Sequence, residues 1–278
     1  MRTRSLGMLA AIMVVTALIA AGCQQQQAQA PAPAPAPAAS PAAALPDLGG
    51  RTIKVATDAT YPPFEMLDAT KNLIGYDIEL MNAICAKVNC KADIKSTAWD
   101  GIFPALQKGD YDAVISGVTI TEERDKTMDF TTPYVAVNQL VLVRADETVV
   151  TGIDSLADKT VAVQTGTTND ELASKFQKEG KIKTVKRFPT FALAVESLLK
   201  KDADAVLIDS VAAAGYMGTN PGKLKTVGDP LTSEQLGIVV REGDTTLRDA
   251  FNAALAALKA DGTLDQLFQK WMVEWKPS

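Results

Sequence analysis

The sequence predicts an α/β protein built from two similar lobes, and three observations carry that expectation. Short β-branched runs alternate along the chain with amphipathic helical stretches, the pattern of largely parallel sheets covered by helices. Four of those runs pass directly into polar clusters. One aromatic–helix–strand passage also occurs twice. Trp99 to Ile115 ends in Gly-Asp-Tyr-Asp-Ala-Val-Ile, and Phe188 to Ile208 ends in Lys-Asp-Ala-Asp-Ala-Val-Leu-Ile. With 278 residues, 47% hydrophobic and 22% charged, the chain can bury the core of one large or two small domains.

The elements follow in chain order. Arg2 and Arg4 precede an apolar run from Leu6 to Ala21, which is shorter than the roughly 20 residues a bilayer span takes. Ala20-Ala21-Gly22 then forms a small-residue processing site before Cys23, so residues 1–22 read as a signal peptide, with an uncleaved anchor helix as the alternative. From Gln24 to Pro46 there is neither a charge nor an aromatic residue, and the Pro-Ala alternation from Pro31 to Ala38 favours extended polyproline II. Residues 23–46 therefore read as a spacer, with a tract for a Pro-binding module as the alternative. The folded body is expected over 47–278.

Within that body, Ile78, Met81, Cys85 and Val88 share a helical face, Asn89 suits a left-handed cap, and Cys90 lies just beyond it. In an exported protein this pair is expected as a disulfide of Cys85 with Cys90, against two buried free thiols. The four informative strands are Ile53–Thr57, Ala113–Ile115, Val161–Val163 and Ala205–Ile208. They run respectively into Asp58 and Tyr61-Pro62-Pro63-Phe64, into Ser116-Gly117-Val118-Thr119, into Gln164-Thr165-Gly166-Thr167-Thr168, and into Asp209-Ser210. Ligands of open α/β sheets bind beyond the carboxyl ends of strands, so these four stretches are the expected site. Each alone is an ordinary turn or helix cap. Together with Arg124 they suit a small zwitterion, its carboxylate on the guanidinium and its ammonium on a carboxylate. At the C-terminus, Leu247, Phe251, Leu255 and Leu258 form one helical stripe stopped near Gly262. Thr263 is expected to cap a second helix that buries Leu264, Leu267, Phe268 and Trp271.

Charge and composition exclude several function classes. A net charge of −5 argues against a nucleic-acid binder, and the absence of histidine removes His-based triads, His metal sites and His general bases. No metal, cofactor or catalytic residue is expected.

The motifs Thr57-Asp-Ala-Thr-Tyr-Pro-Pro-Phe-Glu65, Gly75-Tyr-Asp-Ile-Glu-Leu80, Ser116-Gly-Val-Thr-Ile-Thr-Glu-Glu-Arg124, Asp129-Phe-Thr-Thr-Pro-Tyr134, Gln164-Thr-Gly-Thr-Thr168, Asp204-Ala-Val-Leu-Ile-Asp209 and Asp261-Gly-Thr-Leu264 run in order along the body. In them the chain resembles the extracellular solute-binding proteins, family 3, of polar amino-acid ABC importers. The resemblance implies a two-lobed type II periplasmic-binding-protein-like fold whose lobes are joined by two crossing strands and close on an amino acid. The first lobe would comprise 47–134 plus 238–278 and the second 139–232, with crossings near Tyr134–Gln139 and Ser233–Gly237.

It also implies site roles. Arg124 would hold the ligand's α-carboxylate with backbone N–H groups at Thr119 and Thr168, and Asp209 the α-ammonium with the Ser116-Gly117 backbone and the Thr119 hydroxyl. Tyr61 and Trp99 would sandwich the side chain's aliphatic part, while Asp58 and Gln164 would read its far end. Glu65 and Asp77, though in matching motifs, are read as structural.

The implied function is capture of a basic amino acid, arginine or lysine, by a monomer that delivers it to permease subunits. A glutamine-binding protein of the same importer class is the alternative ligand reading. A cyclohexadienyl-type dehydratase and a ligand-sensing module on the same fold are the alternatives of other classes. Cys23 after its small-residue stretch similarly resembles the lipobox of bacterial lipoproteins, with Ala20 where leucine is usual. That implies a lipid anchor on the outer face of the cell membrane or in the periplasm.

Overall fold

A computed structural model describes residues 44–276. The expected signal peptide, Cys23 and nearly all of the expected spacer lie outside the described residues. The body opens with β1 (Arg51–Thr57), followed by the short strands β2 (Thr60–Tyr61), β3 (Glu65–Leu67) and β4 (Leu73–Ile74), which pair antiparallel in a small sheet. Helix α1 (Tyr76–Lys87) buries Ile78, Met81 and Cys85, and Asn89 beyond it has φ +52°, in the left-handed region. Cys85 on that helix is joined by a disulfide to Cys90, the first residue of β5 (Cys90–Ser96). Helix α2 (Trp99–Lys108), stopped by left-handed Gly109, leads to β6 (Ala113–Val114) and β7 (Met128–Phe130).

The chain then crosses on β8 (Val135–Val137) and continues through β9 (Gln139–Arg144), β10 (Thr160–Gln164), α3 (Thr168–Lys178), β11 (Thr184–Phe188), α4 (Phe191–Leu199), β12 (Ala205–Asp209), α5 (Ser210–Thr219) and β13 (Leu224–Val227). It returns on β14 (Glu234–Leu236), which pairs antiparallel with β8, and finishes with β15 (Val239–Arg241), α6 (Thr245–Ala260) and α7 (Thr263–Phe268). The two five-stranded sheets have the orders β5-β1-β6-β15-β7 and β11-β10-β12-β9-β13. In each, the first three strands are parallel and the fourth, which arrives from beside a crossing strand, is antiparallel to its neighbours. This shared order is the structural form of the repeated passage in the sequence.

The period-2 alternation of strands divides each sheet between two cores. Ile53 and Val55 of β1 face one apolar cluster, while Ala56 joins Ile102, Leu106 and Val114 in another. Val161 and Val163 of β10 likewise face away from Ala162. Helix α6 starts at Asp244, whose side chain accepts from the Leu247 backbone N–H, and buries Leu247, Phe251, Leu255 and Leu258.

The last helix differs from expectation. Its cap is Gly262 rather than Thr263, whose N–H and hydroxyl both donate to the Asp261 carboxylate. Phe268 is 42% exposed whereas Trp271 is buried. Phe268 is the last residue of α7, and a π-helical turn over Gln269–Glu274 follows it and carries Trp271.

Candidate functional site

The four polar strand ends converge. Asp58 follows β1, Ser116 and Gly117 follow β6, Gln164 ends β10 and Asp209 ends β12. They line one cavity between the sheets, with Tyr61, Trp99, Thr119, Arg124 and Thr168 also on its wall. All ten residues expected at a binding site therefore border one cavity.

The lobes are closed over it. The Tyr61 hydroxyl donates to Asp209 Oδ2, and Gln164 Nε2 donates to Asp58 Oδ2 at 2.8 Å. Trp99 Nε1 reaches the Gly166 carbonyl at 3.1 Å, and the Tyr216 hydroxyl reaches the Thr60 carbonyl at 2.6 Å. Each bond joins a residue of the first sheet's lobe to one of the second's, so all four must break or be exchanged for ligand contacts when the lobes part.

At one end of the cavity stands Arg124, in a short 3₁₀ turn. Its neighbours Glu122, Glu123, Asp125 and Lys126 are exposed, as expected of a solvated charge run, but the Arg124 side chain turns inward. The guanidinium lies 5.5 Å from the Trp99 ring centroid and 5.3 Å from that of Phe103, and Nη1 donates to the Thr119 carbonyl at 2.9 Å. Trp99 thus supports this cation directly. Burial pulls the Arg124 pKa down while Glu171, Glu234 and Asp209 pull it up, so it stays a cation at neutral pH. No carboxylate among the described residues forms a salt bridge with it, which leaves its remaining N–H groups for an anion.

Asp209 is buried, and burial raises its pKa to about 6 against the lowering hydrogen bonds from Tyr61 and from Asn169, whose Nδ2 donates to Oδ1 at 3.0 Å. Asp58 is also raised by burial, with Gln164 and Thr60 bonds opposing. The Asp58 backbone N–H donates to Ser116 Oγ, which in turn donates to Glu65 Oε1 at 2.8 Å. Gly117 sits at φ +53°, and a Cβ there would meet the Tyr61 ring at 2.8 Å, so only glycine allows this approach. Its N–H donates to Asp77 Oδ2 at 2.9 Å. Tyr61 stacks between Phe64 and Phe191, at centroid distances of 5.6 and 5.2 Å.

Glu65 and Asp77 form the support beneath this floor. Both are fully buried, and burial raises both carboxyl pKa values, Asp77 to about 7; repulsion from Asp77 pushes Glu65 up further, which favours its neutral form. Besides Gly117, Asp77 Oδ2 accepts from the Tyr134 hydroxyl at 3.0 Å, beside crossing strand β8. Glu65, read from sequence as structural, also reaches the cavity wall.

Sequence reasoning missed Asn169, Phe191 and Glu234. Asn169 lies one residue past the Thr-Thr pair, where a helix N-terminus was legible but not the direction of its second residue. Glu234 accepts from Thr119 Oγ1 at 2.9 Å and from Thr168 Oγ1 at 3.2 Å.

Comparison with known proteins places the chain among binding proteins. The family model for bacterial extracellular solute-binding proteins, family 3, matches residues 53–274. A probable histidine-binding protein of Neisseria gonorrhoeae is 36% identical over 269 residues, covering 96% of this chain and 95% of the relative. A putative ABC transporter arginine-binding protein 2 of Escherichia coli strain K12 is 35% identical over 225 residues, covering 79% and 90%. Among solved structures, an ancestral arginine-binding protein bound to arginine is 39% identical with a TM-score of 0.76, covering 79% of this chain and 97% of that one. An ancestral arginine-binding protein bound to glutamine is 39% identical with a TM-score of 0.75, again covering 79% and 97%.

Proposed function

This chain belongs to the bacterial extracellular solute-binding proteins, family 3, and from that premise we propose that it captures a basic L-amino acid, arginine or lysine, and delivers it to the permease of an ABC importer. It acts as a binding protein and not as an enzyme. Its lobes are 47–134 plus 238–278 and 139–232, joined by β8 and β14.

The charge balance of the cavity carries this reading. Three carboxyl groups, Asp58, Glu65 and Asp209, face it against one guanidinium, Arg124. A zwitterion's head group uses Arg124 and Asp209, and burial together with the neighbouring Asp77 carboxylate raises the Glu65 pKa well above its usual value, which favours its neutral form. Asp58 is then left as a buried carboxylate that lacks a cation, and a buried charge without a partner costs several kcal/mol. A guanidinium or ammonium at the far end of the ligand supplies one. Glutamine is the second reading, favoured by the Gln164–Asp58 hydrogen bond: an amide can take the place of either partner. Calorimetric titration of the purified body with the standard amino acids tests the assignment. Arginine or lysine should bind at least about tenfold more tightly than glutamine or glutamate, the ratio expected from one ion pair. Tighter binding of glutamine or glutamate defeats the assignment to a basic ligand, and no binding of any amino acid defeats the capture reading.

The same proposal includes a lipid anchor at Cys23, supported by the Ala-Ala-Gly-Cys23 junction and the uncharged spacer behind it. Several acyl chains on one residue give the stable attachment that one chain does not. Mass spectrometry of detergent-extracted protein should find a lipid-modified amino-terminal Cys23, and an unmodified thiol inside an intact precursor would rule the anchor out.

A further inference from the structure

Glu234 stands on the return crossing strand β14, in a stretch the sequence marked only as a crossing. Its carboxylate gathers three donors from distinct parts of the molecule. Thr119, in the loop after β6, gives its hydroxyl proton to Oε2 at 2.9 Å. Thr168, the first residue of α3 in the other lobe, donates to the same oxygen at 3.2 Å. Gln139, the first residue of β9, donates from Nε2 to Oε1 at 2.6 Å. The two threonine oxygens are 3.5 Å apart, a separation that requires closed lobes.

A threonine hydroxyl has one proton and two lone pairs. Once that proton is given to Glu234, the oxygen can only accept. We propose that Glu234 is a positioning residue for ligand capture: by taking the hydroxyl protons of Thr119 and Thr168 it presents the Thr119 oxygen to the cavity as an acceptor for the ligand's ammonium group, and it makes that presentation depend on closure. The inference rests on the zwitterion-capture reading above. It also accounts for a carboxylate being tolerated on a crossing strand, where a purely mechanical hinge has no use for one. Because Oε2 needs both threonines at once, parting the lobes removes one of its two donors, and the closed state gains a contact the open state lacks.

A Gln139 feature gives the inference a sharp test. Its Oε1 is buried without a hydrogen-bond partner. In an E234Q variant the new side-chain oxygen can still accept from both threonines, and the Gln139 amide can turn its unpartnered oxygen toward the new NH₂ group. E234Q should therefore keep the geometry, whereas E234L, of similar size, abolishes it.

The experiment titrates wild type, E234Q, E234L, Thr119→Val and the E234L/Thr119→Val double variant with L-arginine and L-glutamine, and records a thermal melt of each. E234L and Thr119→Val should each weaken the tighter ligand by about tenfold, as for one charge-assisted hydrogen bond. E234Q should stay within about threefold of wild type. The double variant should be little weaker than E234L alone, since both changes remove one shared arrangement. If the two losses multiply in the double variant, if E234L binds as wild type does, or if E234Q is as weak as E234L with an unchanged melt, Glu234 is not a positioning residue. If wild type binds neither these two nor any other standard amino acid, the capture reading fails instead, and the two failures are told apart in the wild-type titration.

Discussion

Replacing Arg124 or Asp209 by alanine is expected to reduce amino-acid affinity by about a hundredfold or more while leaving the lobes folded. Each would make charge-assisted hydrogen bonds to a main-chain group of the ligand, worth about 1.5–3 kcal/mol apiece and more when the ligand's own charge is left buried without a partner. Neither change should unfold the protein. Arg124 rests over Trp99 and Phe103 at the cavity edge, and its loss leaves that aromatic pair, with centroids 5.0 Å apart, in contact. Asp209 ends a strand whose backbone pairing with β9 does not involve its side chain.

The pH dependence adds a signature specific to Asp209. Burial raises its pKa to about 6 in the unliganded cavity. An ammonium ligand binds the carboxylate and not the carboxylic acid, so affinity should be level near pH 8 and fall as pH drops through about 6, approaching tenfold per unit below it. Asp209→Asn should bind weakly throughout and lack this segment of the profile. Stability of the unliganded protein has the opposite slope from the same group. A carboxyl whose folded pKa exceeds its unfolded value stabilises the protein below the unfolded pKa, and that contribution is lost as pH rises through about 6. Isothermal titration and thermal melting across pH 5 to 8 check both signs. Micromolar binding retained by Arg124→Ala or Asp209→Ala would show that these residues do not hold the head group.

Much of this site was legible before any coordinates, and the reason is geometric. A strand's carboxyl end is marked in sequence by the point where a β-branched run stops, and the fold rule that ligands sit beyond such ends needs no long-range contact. Asp58, Ser116, Gln164 and Asp209 were therefore found from local patterns. Glu234 was not, because its meaning lies in the meeting of Thr119 and Thr168, residues from two lobes that closure alone brings to one carboxylate. Trp99 shows the intermediate case. An aromatic at the start of α2 could be placed at the cavity, but its use as a platform for Arg124 depends on a 3₁₀ turn that turns one arginine inward out of a charged run. Phe268 marks the limit of periodicity: four residues at helical spacing fit a buried stripe, yet Phe268 at the end of α7 is exposed, and whether a neighbour covers that position is not encoded in the spacing.

Asp58→Asn is expected to separate the two ligand readings. In the closed cavity Asp58 Oδ2 accepts from Gln164 at 2.8 Å and Oδ1 accepts from Thr60 at 3.0 Å. An asparagine can keep an acceptor toward Gln164 and offer its NH₂ group to the Thr60 oxygen, while the half-buried Thr60 hydroxyl turns its proton to water, so the substitution removes a charge without leaving a cavity. If the ligand's far end is a guanidinium or ammonium, it loses an ion pair in a buried setting, where such pairs couple by about 1.5 kcal/mol or more. Arginine and lysine affinity should then fall by about tenfold to several hundredfold. A glutamine amide donates to a neutral carbonyl more weakly than to a carboxylate, by about 1 kcal/mol, but removing the raised-pKa acid relieves a desolvation cost that offsets this, so glutamine affinity should change by less than about threefold. The ratio of the two changes is the informative number, because any general loosening of the cavity moves both ligands together. A fall in arginine affinity matched by an equal fall in glutamine affinity would remove Asp58 from the reading of the side chain. An arginine affinity untouched by Asp58→Asn would show that the ligand's cation, if it has one, is met elsewhere on the wall.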